Sequence, residues 1–161
     1  MKRTAGYADG QLMSLHRHAL NIQIASRIKG IPRELDFRKW LIAALPKAAE
    51  LTLRVVNAAE GRALNSGFRG KAYATNVLTF VYHEKKSPLL MGDIVLCAPV
   101  VSREAREHGK TLAAHYAHLT IHGVLHLAGM DHEVERAAKA MEKTEIAILD
   151  ALGFDNPYTD S

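Results

Sequence analysis

Residues 122–132 read His-Gly-Val-Leu-His-Leu-Ala-Gly-Met-Asp-His. One predicted helix ends within this stretch and another begins directly after it. His122 and His126 are four residues apart, so both rings project from one face of a helix. Gly129 can adopt a left-handed conformation and end that helix, which lets His132 return toward the same point. Neutral imidazoles are common zinc ligands. The stretch therefore predicts a site at a helix end where His122, His126 and His132 hold one Zn²⁺ per chain.

The histidine spacing matches that of the metzincin proteases, with one difference. Those enzymes have glutamate, their general base, at the position of Gly123. The pattern thus indicates a hydrolytic metal site that lacks the base of the proteases. Three histidines leave one coordination position open for activating water, which is typical of catalytic rather than structural zinc. A helix with buried, hydrogen-bonded histidines stays an alternative, as does a closed structural site, for which Cys97 is the only thiol available.

Three neighbouring residues are candidates for supporting the ligands. His118 lies four residues before His122 on the same helix face, and we interpret it as a hydrogen-bonding or packing partner rather than a fourth ligand. Asp131 or Glu133 can orient an imidazole or act as a base, and Asp131 can equally cap the turn.

Hydrophobic periodicity predicts the flanking elements. A long, mostly apolar helix is expected over 112–128 and an amphipathic helix over 133–152. Upstream, alternating or β-branched segments predict four strands, near 20–24, 51–55, 75–82 and 89–97. A helix is expected over 37–45. A second helix is expected to begin after Asn57, which would be its N-cap, with Glu60 completing a capping box. A third is expected over 103–108, with Ser102 as its N-cap. Gly92-Asp93 is expected to mark a bulge.

This order predicts an α+β fold of mixed α/β layers, with one four-stranded sheet, about five helices and the metal site at the end of the long C-terminal helix. The segment from the second to the third strand is expected to be a right-handed crossover, and the third and fourth strands an antiparallel pair. We expect one domain over residues 20–155, preceded by a poorly defined leader over 1–19.

Composition limits the functional class. The 161 residues carry a formal net charge of +4, with an isoelectric point near 9.3, which is compatible with an anionic partner such as nucleic acid. A single cysteine allows no internal disulfide, which is typical of a reducing cytosol. Neither a signal peptide nor an apolar run of about eighteen residues is apparent, so no membrane association is expected.

Three segments in register resemble the YbeY family of bacterial endoribonucleases. Residues 122–132 match the zinc signature H-G-x-L-H-L-x-G-x-D-H of that family, and residues 68–80, FRGKAYATNVLTF, are similar to its Y-R-G-K-D-x-P-T-N-V-L-S-F signature. Residues 92–94 match its G-D-I element, and the similarity extends over roughly residues 20–153. This chain departs from the second signature at four positions. It has Ala72 where the family usually has Asp, Ala74 where it has Pro, Thr79 where it has Ser, and Val81 where Pro often follows the signature.

The resemblance implies a cytoplasmic, zinc-dependent endoribonuclease specific for single-stranded RNA. Such proteins act in 3′-end maturation of 16S ribosomal RNA and in ribosome quality control, with the small ribosomal subunit and its assembly proteins as partners. The resemblance also implies that His122, His126 and His132 bind zinc and that Arg69 is the functionally important arginine. A guanidinium suits the charge of a phosphodiester transition state, so Arg69 is the candidate for catalysis and substrate binding, with Lys71 as a weaker substrate-binding candidate.

Two other functions stay open. The histidine spacing is compatible with a zinc metalloprotease-like hydrolase, and the composition with a non-catalytic, zinc-stabilised ribosome assembly factor. For Arg69, the alternative is a solvated charge in a turn.

Overall fold

One four-stranded sheet and five helices make up the structure, a computed structural model that describes residues 18–71, 74–130 and 134–159, apart from the side chains at 68 and 69. The strands are β1 (His18–Ile24), β2 (Ala49–Val56), β3 (Val77–Val81) and β4 (Leu90–Cys97). The helices are α1 (Glu34–Ala44), α2 (Ala58–Arg69), α3 (Ala98–Glu107), α4 (Leu112–Leu127) and α5 (Glu135–Ala151). This is the predicted α+β fold.

Within the described ranges, no helix is both long and apolar enough to cross a bilayer. Residues 1–17 lie outside those ranges, so the division into a leader over 1–19 and a domain over 20–155 stays a prediction.

The strands are arranged in the order β1-β2-β4-β3. β1 pairs with β2 and β2 with β4 in parallel, whereas β3 pairs with β4 in the antiparallel direction, as predicted. The expected crossover from β2 to β3 is wrong, because β4 lies between them and β3 runs opposite to both. The four residues at the end of β4, Ile94–Cys97, are all buried, which suits a central strand, whereas β3 is short and partly exposed and forms an edge. The parallel neighbours β1 and β2 are connected through α1, whereas the connection from β2 to its other parallel neighbour, β4, contains α2 and β3.

The main core lies on one face of the sheet, under α1 and α4. Leu51, Leu53 and Val55 of β2 alternate toward this face, and Ile94 and Leu96 of β4 do the same. A smaller cluster on the other face contains the following buried residues: Val56, Leu78, Val95, Cys97 and Val100. Helix α4 is therefore fixed across the sheet by a continuous apolar layer, which determines where its C-terminal histidines lie.

Two glycines allow α4 to approach β4 closely. A Cβ atom at Gly123 would lie 3.1 Å from Cγ2 of Ile94. A Cβ atom at Gly92 would lie 2.4 Å from the carbonyl oxygen of Phe80 and 2.9 Å from Cδ2 of Leu127. The predicted bulge at Gly92 is wrong, because β4 keeps a one-to-one register with β2 through this residue and Gly92 also pairs with Val81 of β3. Gly92 serves close packing between the sheet and the end of α4.

Helix α3 begins earlier than predicted. It begins at Ala98, with Pro99 in its first turn and Cys97 at the N-cap, and not after Ser102. Proline is favoured in a first helical turn, where its missing N–H would have no partner anyway. The chain thus passes directly from β4 into α3.

Asn57 is the N-cap of α2, as predicted, but it forms no capping box. Its Oδ1 atom accepts a hydrogen bond from the Ser26 hydroxyl at 2.6 Å. The Glu60 carboxylate instead binds the guanidinium of Arg54 on β2, with Nε and Oε2 2.6 Å apart. Contacts with β2 and the segment after β1 replace the local bonds that the sequence predicted.

Candidate metal centre

Helix α4 carries the first two predicted ligands in its last two turns. Its N-terminus is capped by Thr111, whose hydroxyl accepts a hydrogen bond from the Ala114 N–H at 3.1 Å. The helix ends at Leu127, and Gly129 follows in a left-handed conformation with φ of 100°. The predicted helix and its glycine-dependent end are therefore confirmed. His122 and His126 thus lie one turn apart just before the helix ends.

A buried carboxylate from α5 holds His122. Nδ1 of His122 donates to Oε2 of Glu145 at 2.5 Å. Glu145 is completely buried, whereas the His122 side chain is 25% exposed. Metal-binding histidines usually donate one ring N–H to a carboxylate or carbonyl, which fixes the tautomer and the ring orientation so that the other nitrogen coordinates. The bond between Nδ1 of His122 and Glu145 is of this kind.

The other oxygen of Glu145 binds two further groups. The Tyr158 hydroxyl donates to Oε1, and Nε2 of His118 lies 3.1 Å from Oε1 and 3.1 Å from the Tyr158 oxygen. The rings of His118 and His122 are 6.3 Å apart between centroids. His118 therefore contacts the carboxylate that holds a predicted ligand, and its role beside a metal ion stays a prediction.

The hydrogen bonds determine the charge state of Glu145. Burial by itself would raise the pKa of this carboxyl, but hydrogen bonds from His118, His122 and Tyr158 outweigh burial and lower the pKa from 4.5 to about 2. Desolvation and the adjacent carboxylate raise the pKa of Tyr158 far above its usual range, so its hydroxyl stays a donor. Glu145 is thus an ionised acceptor for all three groups at neutral pH.

His122 also lines an open cleft of about 410 Å³ between α4, α5 and the C-terminal segment. The other residues that line it are Ala138, Met141, Glu142, Glu145 and Tyr158. Solvent or a ligand can therefore approach the edge of the cluster.

Several predicted site residues lie outside the described residues. These are His132, Asp131, Glu133 and the side chain of Arg69. Lys71 is exposed, directly after Gly70, which ends α2 in a left-handed conformation with φ of 68°. Across residues 18–71, 74–130 and 134–159, no group of three or more His, Cys, Asp or Glu side chains is placed to hold a metal ion. The set of three histidines therefore stays a prediction.

The structure disfavours two alternatives to an open hydrolytic site. Gly123 faces Ile94 on the sheet, so position 123 is not available for a protease-like base. Cys97 lies in the smaller core cluster, on the other face of the sheet from α4, and burial raises the pKa of its thiol. A site closed by Cys97 would need a thiolate at a position that favours the neutral thiol.

A second carboxylate connects α4 to the start of β3. Glu104 of α3 lies 2.8 Å from Nε2 of His115 and accepts from the Asn76 amide at 3.0 Å. Burial lowers the pKa of His115, against the influence of Glu104. Asn76 belongs to the TNVLTF part of the second signature, so these bonds anchor that part of the signature at the start of β3.

Glu145 and Tyr158 were not predicted from the sequence. One signal for Glu145 was available, because it occupies a position in the apolar stripe of α5, between Met141 and Leu149. An ionisable residue in such a stripe indicates a buried and paired charge. For Tyr158 no comparable signal exists, since its partner lies 13 residues away on a different element.

Comparison with known proteins identifies the family. The family model for Endoribonuclease YbeY matches residues 21–153. The chain belongs to the YbeY endoribonuclease family. It is 54% identical over 143 residues to the Endoribonuclease YbeY of Methylobacillus flagellatus, a match that covers 89% of this chain and 95% of that protein. It is 52% identical over 139 residues to the YbeY of Nitrosomonas europaea, covering 86% of this chain and 84% of the relative.

A solved structure agrees with the YbeY assignment at the level of the fold. The solution structure of TM1509 from Thermotoga maritima superposes with a TM-score of 0.55 at 26% identity, over 82% of this chain and 91% of that one. The resemblance inferred from the signatures is thus confirmed. As a member of an endoribonuclease family, the protein is a nuclease that acts on RNA.

Proposed function

We propose that this protein is a zinc-dependent endoribonuclease that cleaves single-stranded RNA in the cytoplasm. The proposal extends to 3′-end maturation of 16S ribosomal RNA and to ribosome quality control, with the small ribosomal subunit and its assembly proteins as partners. The observation that carries the metal requirement is the bond between His122 and the buried Glu145, in a chain that belongs to the YbeY family. The formal net charge of +4 is compatible with a polyanionic substrate.

His122, His126 and His132 are the residues that would hold the zinc ion. When bound, the ion supplies a Lewis acid that polarises a phosphoryl oxygen and lowers the pKa of water. Glu145 keeps His122 in one tautomer and one orientation, and Gly129, three residues before His132 in the sequence, follows the end of α4 in a left-handed conformation. The protein thus contributes a preorganised set of donors rather than a general base at position 123.

Arg69 is the proposed contact for the phosphodiester. A guanidinium can donate two hydrogen bonds to one phosphate and so stabilise the negative charge that grows in the transition state. Arg69 is the last residue of α2, and Gly70 immediately turns the chain in a left-handed conformation. Lys71 then adds a second cation, exposed to solvent. We assign Lys71 to substrate binding only.

The test combines metal analysis with cleavage of a single-stranded RNA by the purified protein. Arg69→Ala is expected to keep its zinc and its fold and to lose at least about 100-fold in cleavage rate, because a charge contact to the transition state is removed. His122→Ala is expected to lose both zinc and cleavage. Arg106→Ala, an exposed arginine at the end of α3, is the matched control and is expected to cleave normally.

Three results would contradict the proposal or one of its parts. Wild-type activity in Arg69→Ala would remove Arg69 from the reaction. A pure wild-type protein that holds zinc, binds small ribosomal subunits and cleaves no RNA would favour the assembly-factor alternative. Digestion of casein that stops on addition of a chelator would favour the protease alternative, against which Gly123 and its contact with Ile94 argue.

A further inference from the structure

The buried carboxylate of Glu145 connects three different parts of the chain. It lies on α5 and accepts hydrogen bonds from His122 on α4 and from Tyr158 in the C-terminal segment, with His118 of α4 as the third partner. A fully buried carboxylate is stable only when such partners compensate its loss of hydration. Each partner therefore restricts the position of the carboxylate, and the carboxylate restricts His122.

The segment that contributes Tyr158 is held by its own contacts. Phe154 packs edge-on against Trp40 of α1, with centroids 5.9 Å apart, and its N–H donates to the carbonyl of Leu149 at 2.9 Å. The Tyr158 N–H donates to Oδ1 of Asn156 at 2.8 Å. These bonds direct the Tyr158 hydroxyl onto Glu145, although 44% of the residue is exposed.

Tyr158 lies beyond the part of the chain that the family model covers, which ends at residue 153. Its ring also packs edge-on against His118, with centroids 5.2 Å apart. Removal of its hydroxyl alone would leave this ring contact in place and would take one of three donors from Glu145. The hydroxyl thus offers a means of testing the cluster without disturbing the packing around it.

We propose that Glu145 is a positioning residue for the predicted zinc ligand His122, and that Tyr158 extends this positioning to the C-terminal segment by holding Glu145. The inference rests on the proposed function, because it takes His122 as a zinc ligand. Its physical basis is that a fixed imidazole loses less conformational freedom on coordination and keeps the tautomer that the metal needs. Neither residue is assigned contact with substrate.

The experiment measures zinc affinity in the full-length protein by competition with a chromophoric chelator. Glu145→Gln is expected to weaken zinc binding 10- to 100-fold, the range usual for loss of a carboxylate behind a histidine ligand. Tyr158→Phe is expected to weaken it about threefold to tenfold, as for loss of one hydrogen bond. Glu142→Gln removes a carboxylate from the same helix and the same cleft, and it is expected to bind zinc like the wild type.

The outcomes separate this inference from the proposed function. If His122→Ala loses zinc while Glu145→Gln and Tyr158→Phe bind it with wild-type affinity, the positioning inference is overturned and the metal site stands. If His122→Ala binds zinc like the wild type, the proposed metal site itself fails. An equal loss in Glu142→Gln would also overturn the inference, since general charge in the cleft would then explain the effect.

The thermal midpoint of unfolding is measured on the zinc-free variants. If Glu145 and Tyr158 served only the stability of the fold, their substitution would lower this midpoint without changing the zinc affinity of the folded protein. If Glu145→Gln does not fold, Tyr158→Phe decides the question, because its ring packing is retained. Wild-type zinc affinity in a folded Tyr158→Phe protein would then overturn the role of the C-terminal segment.

Discussion

Position 123 separates this chain from the metalloproteases whose histidine spacing it shares. Gly123 lies between the two helical histidines, but a side chain there would point at the core, 3.1 Å from Ile94. A glutamate could not act on a substrate from this position, and an ionised carboxylate would be buried without a partner. Glycine is therefore explained by packing of α4 on β4 and not only by the absence of a protease base.

Substitution of Gly123 by glutamate tests this explanation. Gly123→Glu is expected to lower the free energy of unfolding by about 3–5 kcal/mol and to create no proteolytic activity, because it buries an uncompensated charge. Urea unfolding and casein digestion measure the two effects. Gly67→Glu is the matched control, since Gly67 is a helical glycine at which an added Cβ would have no neighbour within 4 Å, and it is expected to change stability by less than about 0.5 kcal/mol. A stable Gly123→Glu protein that digests casein would contradict this account.

Sequence patterns within one element predicted part of the candidate site, whereas contacts between different elements were not predicted. His122, His126 and Gly129 follow from spacing within one helix and its cap, and the helix is where the periodicity placed it. Glu145 and Tyr158 approach His122 from other elements, so their pairing depends on tertiary packing that no local pattern encodes. The same applies to Asn57 and Glu60, which bind Ser26 and Arg54 instead of each other.

At the scale of elements, the position of β4 determines where α4 ends. β4 pairs with β2 on one side and β3 on the other, and its Gly92 contacts the end of α4 through Leu127, the residue after His126. The sequence predicted the β3–β4 pair but not the place of β4 between β2 and β3. Strand order beyond neighbouring hairpins depends on which strand is buried on both faces, a property of the assembled sheet.

Packing at this junction can be tested by adding one methyl group. Gly92→Ala is expected to lower the free energy of unfolding by about 1–3 kcal/mol, because the new Cβ overlaps a backbone carbonyl that cannot move without disturbing the β3–β4 pairing. The urea midpoint measures the loss. Met91→Ala, a change at the adjacent and 38% exposed residue, is the control and is expected to cost less. Equal midpoints for Gly92→Ala and the wild type would show that the sheet absorbs the methyl group.

At the scale of the whole molecule, the charge of the protein has a measurable consequence for RNA binding. The chain has 21 lysine and arginine residues against 17 acidic ones, so binding to a polyanion should release counterions from it. The logarithm of the association constant for a single-stranded RNA is then expected to fall linearly with the logarithm of the salt concentration. The slope is expected to be about −0.7 for each phosphate contacted. Fluorescence anisotropy of a folded, cleavage-deficient His122→Ala protein, between about 50 and 200 mM salt, measures this slope.

Lys71 tests whether the segment after α2 belongs to that contact surface. In the same background, Lys71→Ala is expected to reduce the magnitude of the slope by about 0.7, because one ammonium group stops neutralising a phosphate. Lys139→Ala is the control, since Lys139 is an exposed lysine on α5 whose ammonium lies 3.5 Å from Glu135. It is expected to leave the slope unchanged. A slope that Lys71→Ala does not alter would place the RNA contact elsewhere, whereas an affinity independent of salt would argue against any phosphate-dominated interface.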